Sequence, residues 1–230
     1  MKHKIIRNYK IHAFESKQDF LNQIKKEEKI LIAMNAEKIL KDDEHLRDIV
    51  NRNIGYPDGV GAVMALNKNG LDAVKIPGAE FWLNIIKEFE KEKTFYFVGS
   101  SADVMEKTVL KLQKEFLHVN IIGYRDGYLK EGDKEKLIED LHVKKPDIVF
   151  IAQGSPRQEY LMEELIKVHP ALYMGLGGSF DVYSGLKKRA PKIFIDLRVE
   201  WLYRLLKEPT RISRQVTLIK FIVLLKLGKL

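Results

Sequence analysis

The chain has 230 residues, room for one α/β domain and an appendage, and its 45% hydrophobic and 31% charged content excludes a disordered chain. There is no cysteine, which excludes disulfides, thiolate metal sites and cysteine nucleophiles and suits a reducing compartment. The net charge of +8 is concentrated: residues 187–230 carry 12 Lys/Arg against three acids, whereas the other 186 residues carry 28 basic and 29 acidic side chains.

In chain order, the N-terminal MKHKIIRNYKIHAFES has no apolar core of the secretory kind, so no signal segment is expected. KILIAM (29–34) is a short apolar run, and Asn35-Ala36-Glu37 opens a predicted helix through about residue 51. Tyr56-Pro57-Asp58-Gly59 reads as a turn and Val60–Asn69 as a helix closed by Gly70; Ala79–Lys91 has helical spacing after Pro77-Gly78. A strand–helix alternation follows, with strands at 94–99, 119–124, 146–152 and 171–177 and helices at 101–116, 133–143 and 156–168. The strands are continuous apolar runs, which predicts burial on both faces of a mainly parallel sheet and a Rossmann-like α/β sandwich.

The basic C-terminal part differs. A helix is predicted over 193–207, broken at Glu208-Pro209. In a second one, over 212–230, Ile212, Val216, Ile219, Val223, Leu227 and Leu230 form one stripe. Lys220 and Lys226 interrupt the run, so it is too short to span a membrane, which takes about 20 apolar residues. Periodicity leaves an interfacial amphipathic helix and a helix packed on its own domain, or on a neighbouring copy, equally open. The charge likewise fits either an anionic partner or a solvated helix surface; nucleic acid is disfavoured because the tail has no stacking platform. The expected division is a nucleotide-sugar-binding α/β domain over 1–195 and a basic amphipathic appendage over 196–230.

In an open parallel sheet, ligands bind beyond the carboxyl ends of the strands. Three small-residue turns fall there: Gly99-Ser100-Ser101, Gln153-Gly154-Ser155 and Gly177-Gly178-Ser179. Each can present backbone N–H groups to a phosphate, and each can also be an ordinary tight turn; together they suit one nucleotide site. Arg157 and Gln158 offer hydrogen-bond donors at a helix start, for a pyrophosphate or a base edge. Asp58, flanked by glycine, is either a turn-capping aspartate or a base that takes a proton from an acceptor hydroxyl.

The ordered motifs Asn35-Ala36-Glu37, Pro57-Asp58-Gly59-Val60-Gly61, Ile76-Pro77-Gly78-Ala79-Glu80-Phe81, Gly154-Ser155-Pro156-Arg157-Gln158-Glu159 and Gly175-Leu176-Gly177-Gly178-Ser179-Phe180-Asp181 are followed by Arg189-Ala190-Pro191 and Glu200-Trp201-Leu202-Tyr203-Arg204-Leu205. With Glu208-Pro209-Thr210-Arg211 they resemble the WecG/TagA/CpsF family of bacterial glycosyltransferases, glycosyltransferase family 26, over about residues 29–214. The resemblance implies an inverting, metal-independent enzyme with no cofactor. It would transfer N-acetylmannosamine, its uronic acid or a related hexose from a UDP-sugar to a polyprenyl-diphosphate-linked amino sugar, in teichoic-acid or exopolysaccharide assembly.

It further implies Asp58 as general base and Asn35 and Gln158 as polar residues that hold substrate; with Lys75 and the strand-end residues Gly99, Ser100, Gln153, Arg157 and Gly178 they make up the expected substrate set. Arg204, Arg211 and Arg214 would complete the site against the diphosphate. The tail would bring a cytoplasmic enzyme to the anionic inner face of the plasma membrane, with self-association as a further expectation. Ala33 stands where the family often has Thr, and Lys75 where it usually has Arg; lysine keeps the charge but loses bidentate contact. The competing class is a non-catalytic nucleotide-sugar or polyanion-binding module docked through the tail, which leaves Asp58 without a task.

Overall fold

The computed structural model describes residues 1–187, 205 and 212–230. It contains an eight-stranded sheet: β1 (His3–Ile6), β2 (Tyr9–His12), β3 (Ile30–Met34), β4 (Ile54–Pro57), β5 (Thr94–Gly99), β6 (Asn120–Arg125), β7 (Ile148–Ala152) and β8 (Leu172–Gly175). Their order across the sheet is β1-β2-β4-β3-β8-β7-β5-β6, parallel except for the β1–β2 hairpin. The expected Rossmann-like sandwich is the observed architecture.

Alternate side chains divide the core in two. Ile30, Ile32 and Met34 of β3, with Tyr96 and Val98 of β5, enter one cluster. Leu31, with Phe95 and Phe97, enters the other. Helices α2 (Ala36–Leu40), α3 (Glu44–Arg52), α4 (Val60–Lys68), α7 (Asp133–Lys144) and α8 (Arg157–Val168) cover the first face. Helices α1 (Lys17–Ile24), α5 (Gly78–Phe89) and α6 (Ala102–Glu115) cover the second, followed by the short α9 (Ser179–Tyr183). Every residue of β7 is buried, as its unbroken apolar run predicts.

Three sequence-based expectations need correction. The helix expected over 35–51 is two helices, because Lys41 is extended and Asp43 starts a new N-cap on Leu46 N–H at 3.0 Å. Tyr56-Pro57 belongs to β4, and the turn begins at Asp58. β6 is an edge strand, half-exposed rather than buried on both faces. The hairpin β1–β2, unforeseen from sequence, turns on Arg7 and Asn8, both at positive φ (46° and 67°), a pair that lacks the usual Asn-Gly signal.

The last helix, α10 (Ile212–Lys226), lies against α4 and α2. Its own Phe221 and Leu225 are buried on the inner side, and a Cβ at Gly61 of α4 would come within 3.1 Å of the Phe221 ring. The Lys68 ammonium donates to the Leu225 carbonyl at the end of the helix. Of the predicted stripe, Ile212, Val216, Ile219, Val223 and Leu227 are exposed on the outer side. The helix therefore both packs on its own domain and presents an apolar face outward. The helix expected over 193–207 lies, apart from Leu205, outside the described residues, as does the 195/196 division.

Candidate functional site

Strand connections run in opposite directions on either side of the β7–β5 boundary: β5 leads outward through α6 to β6, whereas β7 leads inward through α8 to β8. Such a reversal opens a crevice at the carboxyl ends of the strands. The three small-residue turns surround it. Gly99 cannot be replaced by a larger residue, since a Cβ there would lie 2.6 Å from the Ala152 carbonyl oxygen. Ser100 follows with φ +53°, its N–H donating to Ala152 O at 3.2 Å, while Gly127 N–H donates to Ser100 O at 2.9 Å. Gln153 Nε2 donates to Gly127 O at 2.7 Å, which fastens the β7 turn to the loop after β6.

A cavity of about 550 Å³ results, walled by Ser100, Tyr128, Gln153, Arg157, Gly178 and Asp181 among others. The Asp181 carboxylate accepts from the Ser100 hydroxyl and pairs with Lys187 at 3.0 Å. Arg157 and Tyr128 are exposed at its rim. A smaller cavity of about 170 Å³, lined by Lys26, Asp147 and His169, lies at the opposite ends of the strands. Among the described residues no group of three His, Asp or Glu is arranged to hold a metal ion.

A second corner forms where β3 and β4 end. The N–H groups of Asp58 and Gly59 both donate to Met34 O, at 3.0 and 3.3 Å, so the Asp58 turn folds onto the end of β3. Asp58 is half-buried, and its Oδ1 accepts from Gly78 N–H at 2.7 Å. Asn35 caps α2, its Oδ1 accepting from Lys38 N–H at 3.0 Å, a contribution of about 1 kcal/mol to the helix. That use of the oxygen leaves the Asn35 amide N–H₂ as the part it can offer a ligand. A Cβ at Gly59 would be 3.0 Å from Asn35 Cβ, so the two turns touch. Ile76 N–H donates to Pro57 O at 2.9 Å and carries the exposed Lys75 to the same corner.

The two corners are joined through the first turn of α8. Gln158 is buried, and its Oε1 accepts from Gly177 N–H at 2.9 Å, at the edge of the cavity. Its neighbour Glu159, 1% exposed, takes the Lys38 ammonium at 2.6 Å. Removing either partner would leave a buried charge uncompensated, which makes the pair a rigid tie between α2 and α8. Two buried polar atoms, Tyr56 OH and Glu159 Oε2, have no hydrogen-bond partner among the described residues. Burial, and then the charges of Asp58 and Glu159, push the Tyr56 pKa well above the ordinary tyrosine value, so the phenol stays protonated.

The structure thus groups Gly99, Ser100, Gln153, Arg157 and Gly178 around the cavity, and Asp58, Asn35 and Lys75 at the second corner, with Gln158 between them. Arg214 is held beside the second corner: its Nε pairs at 3.3 Å with Glu37, in the first turn of α2, two residues after Asn35. Arg204 and Arg211 lie outside the described residues. Sequence reasoning missed Tyr128, Tyr56, Lys38 and Glu159 as participants, and gave Asp181 no role. Asp181 closes the small-residue turn Gly177-Gly178-Ser179 and Glu159 ends the motif that begins at Gly154, whereas Tyr128, Tyr56 and Lys38 reach these corners through packing. Over residues 4–230 the chain matches the model of the glycosyl transferase WecG/TagA/CpsF family.

Proposed function

Because the chain belongs to the WecG/TagA/CpsF family of glycosyl transferases, we propose that it moves a sugar from UDP to a polyprenyl-diphosphate-linked amino sugar with inversion at the anomeric carbon. The transferred group would be N-acetylmannosamine, its uronic acid or a related hexose, for teichoic-acid or exopolysaccharide assembly. The observation that carries the reading is the crevice cavity of about 550 Å³ bounded by all three strand-end turns. Its size lies within the range of small-molecule pockets, about 300–1,000 Å³, with room for a nucleotide-sugar. The Asp181 carboxylate suits the ribose hydroxyls and the exposed Tyr128 ring suits a base. Backbone N–H groups of the turns and the Arg157 guanidinium suit the diphosphate.

In this reading the acceptor hydroxyl attacks the anomeric carbon, the bond to the diphosphate oxygen breaks and UDP leaves with the bonding pair. Asp58 Oδ2 receives the hydroxyl proton, while Oδ1 stays on the Gly78 N–H. The developing charge on UDP falls to backbone N–H groups, Arg157 and the C-terminal arginines Arg204, Arg211 and Arg214. Asp58→Asn is expected to reduce transfer at least a thousandfold and leave UDP affinity within about twofold, read by UDP release and by calorimetry. Full turnover in that variant rules out Asp58 as the base.

Among the described residues no helix is long and apolar enough to cross a membrane. We place the enzyme peripherally on the anionic inner face of the plasma membrane, held by the outward stripe of α10 with Lys220 and Lys226 beside it. Vesicles containing anionic lipid should pellet the native chain but not Ile219→Asp/Val223→Asp, two changes on the exposed face that leave the core intact. Equal pelleting of both would sink the anchoring role.

A further inference from the structure

Tyr56 fills its place in the core with its ring alone. The ring lies 5.3 Å from that of Phe20 and 6.3 Å from that of Phe81, fully buried, while its hydroxyl has no hydrogen-bond partner among the described residues. An unpaired buried hydroxyl is destabilising, and phenylalanine would give the same packing without that cost. The surroundings are nevertheless shaped to admit it. A Cβ at position 78 would sit 2.6 Å from the Tyr56 hydroxyl oxygen, 3.6 Å from Asp58 Oδ1 and 3.8 Å from Ala33 Cβ. Hydroxyl, carboxylate and the bare glycine backbone thus share one small space. Oδ1 there accepts one hydrogen bond, from Gly78 N–H, and a carboxylate oxygen has a second lone pair.

We propose that Tyr56 is a positioning residue for Asp58, its O–H donating a second hydrogen bond to Oδ1 when the acceptor is bound. The ring is locked by its neighbours, whereas the carboxylate stands on a half-exposed turn, so the carboxylate is the partner that turns to meet the hydroxyl. With Oδ1 held by two donors, Oδ2 is the oxygen that faces the acceptor. When the proton reaches Oδ2, Oδ1 becomes the carbonyl oxygen of a neutral acid and still accepts from both donors, so no bond must be broken during transfer. The inference rests on the assignment of Asp58 as base.

The test compares Tyr56→Phe with the native chain for kcat, donor KM and Tm. Expected are a kcat lower by about tenfold, a donor KM within about twofold of native, and a Tm equal or higher, because only an unpaired hydroxyl has been removed. A purely structural tyrosine predicts no change in kcat, and that result overturns the proposal. So does a lowered Tm whose activity loss disappears when the assay is run at a lower temperature. A native chain that transfers no sugar refutes glycosyl transfer itself and this inference with it. An active native chain with an equally active Tyr56→Phe refutes the role of Tyr56 alone.

Discussion

The cavity beside β5, β7 and β8 and the corner at the ends of β3 and β4 are built on opposite plans. The first is open and lined largely by backbone, with glycines at positive φ and an exposed arginine and tyrosine at its rim. The second is close-packed: Gly59 and Gly78 are pressed against neighbouring side chains, and Tyr56 and Glu159 are buried with polar atoms unpaired among the described residues. An open backbone-lined cavity accepts a flat, charged ligand with little rearrangement. A close-packed corner holds few groups but fixes each of them, as the proposed proton transfer requires, and it tolerates less change.

That contrast can be broken by substitution. Gly78→Ala should cost the second corner most, about 1–3 kcal/mol, because the new methyl meets the Tyr56 hydroxyl. Thermal unfolding should show this loss falling markedly in a Tyr56→Phe background; an equal loss in both would mean that backbone, not the hydroxyl, sets the fit. In the open cavity, Asp181→Asn should weaken UDP binding about tenfold by titration while turnover at saturating donor falls far less. If turnover falls and binding does not, the two regions are not separable in the way described.

The smallest effect concerns acid. His12 lies on β2 against the Gly55 carbonyl of β4, at 3.3 Å, and burial lowers its pKa from 6.5 to about 4. The unfolded chain therefore binds the proton more readily, so this group's stability is intact above about pH 6.5 and lost as pH falls toward 4. His12→Phe should flatten the dependence of Tm on pH across that interval. An unchanged slope would remove His12 as its source.

Much of the cavity could be read from the sequence, because each turn that forms it is a short run of small residues directly after an apolar strand. The second corner was visible only in part. Asp58 and Asn35 stand next to glycine or at a helix start, positions with local signals. The burial of Tyr56 and of Glu159 carries no such signal: one sits in a strand and the other in a helix, and their unpaired atoms arise from contacts across the fold. The stripe on α10 shows a related limit. Periodicity found a true helical face at Ile212, Val216, Ile219, Val223 and Leu227, yet the buried residues are Phe221 and Leu225 on the other side. A helix apolar on two sides gives no indication of which one is covered.

The position of β8 in the sheet bears on how the molecule is made. Of the described strands it is the last to leave the ribosome, yet it pairs with β3 on one side and β7 on the other. Until residues 172–175 emerge, the nascent chain can form only two part-sheets, β1-β2-β4-β3 and β7-β5-β6, each with an inner edge unpaired. Such edges are templates for association with other chains. A message cut short before this point should therefore yield aggregates, and a complete one closes the sheet and brings the two halves of the site together in the same late event.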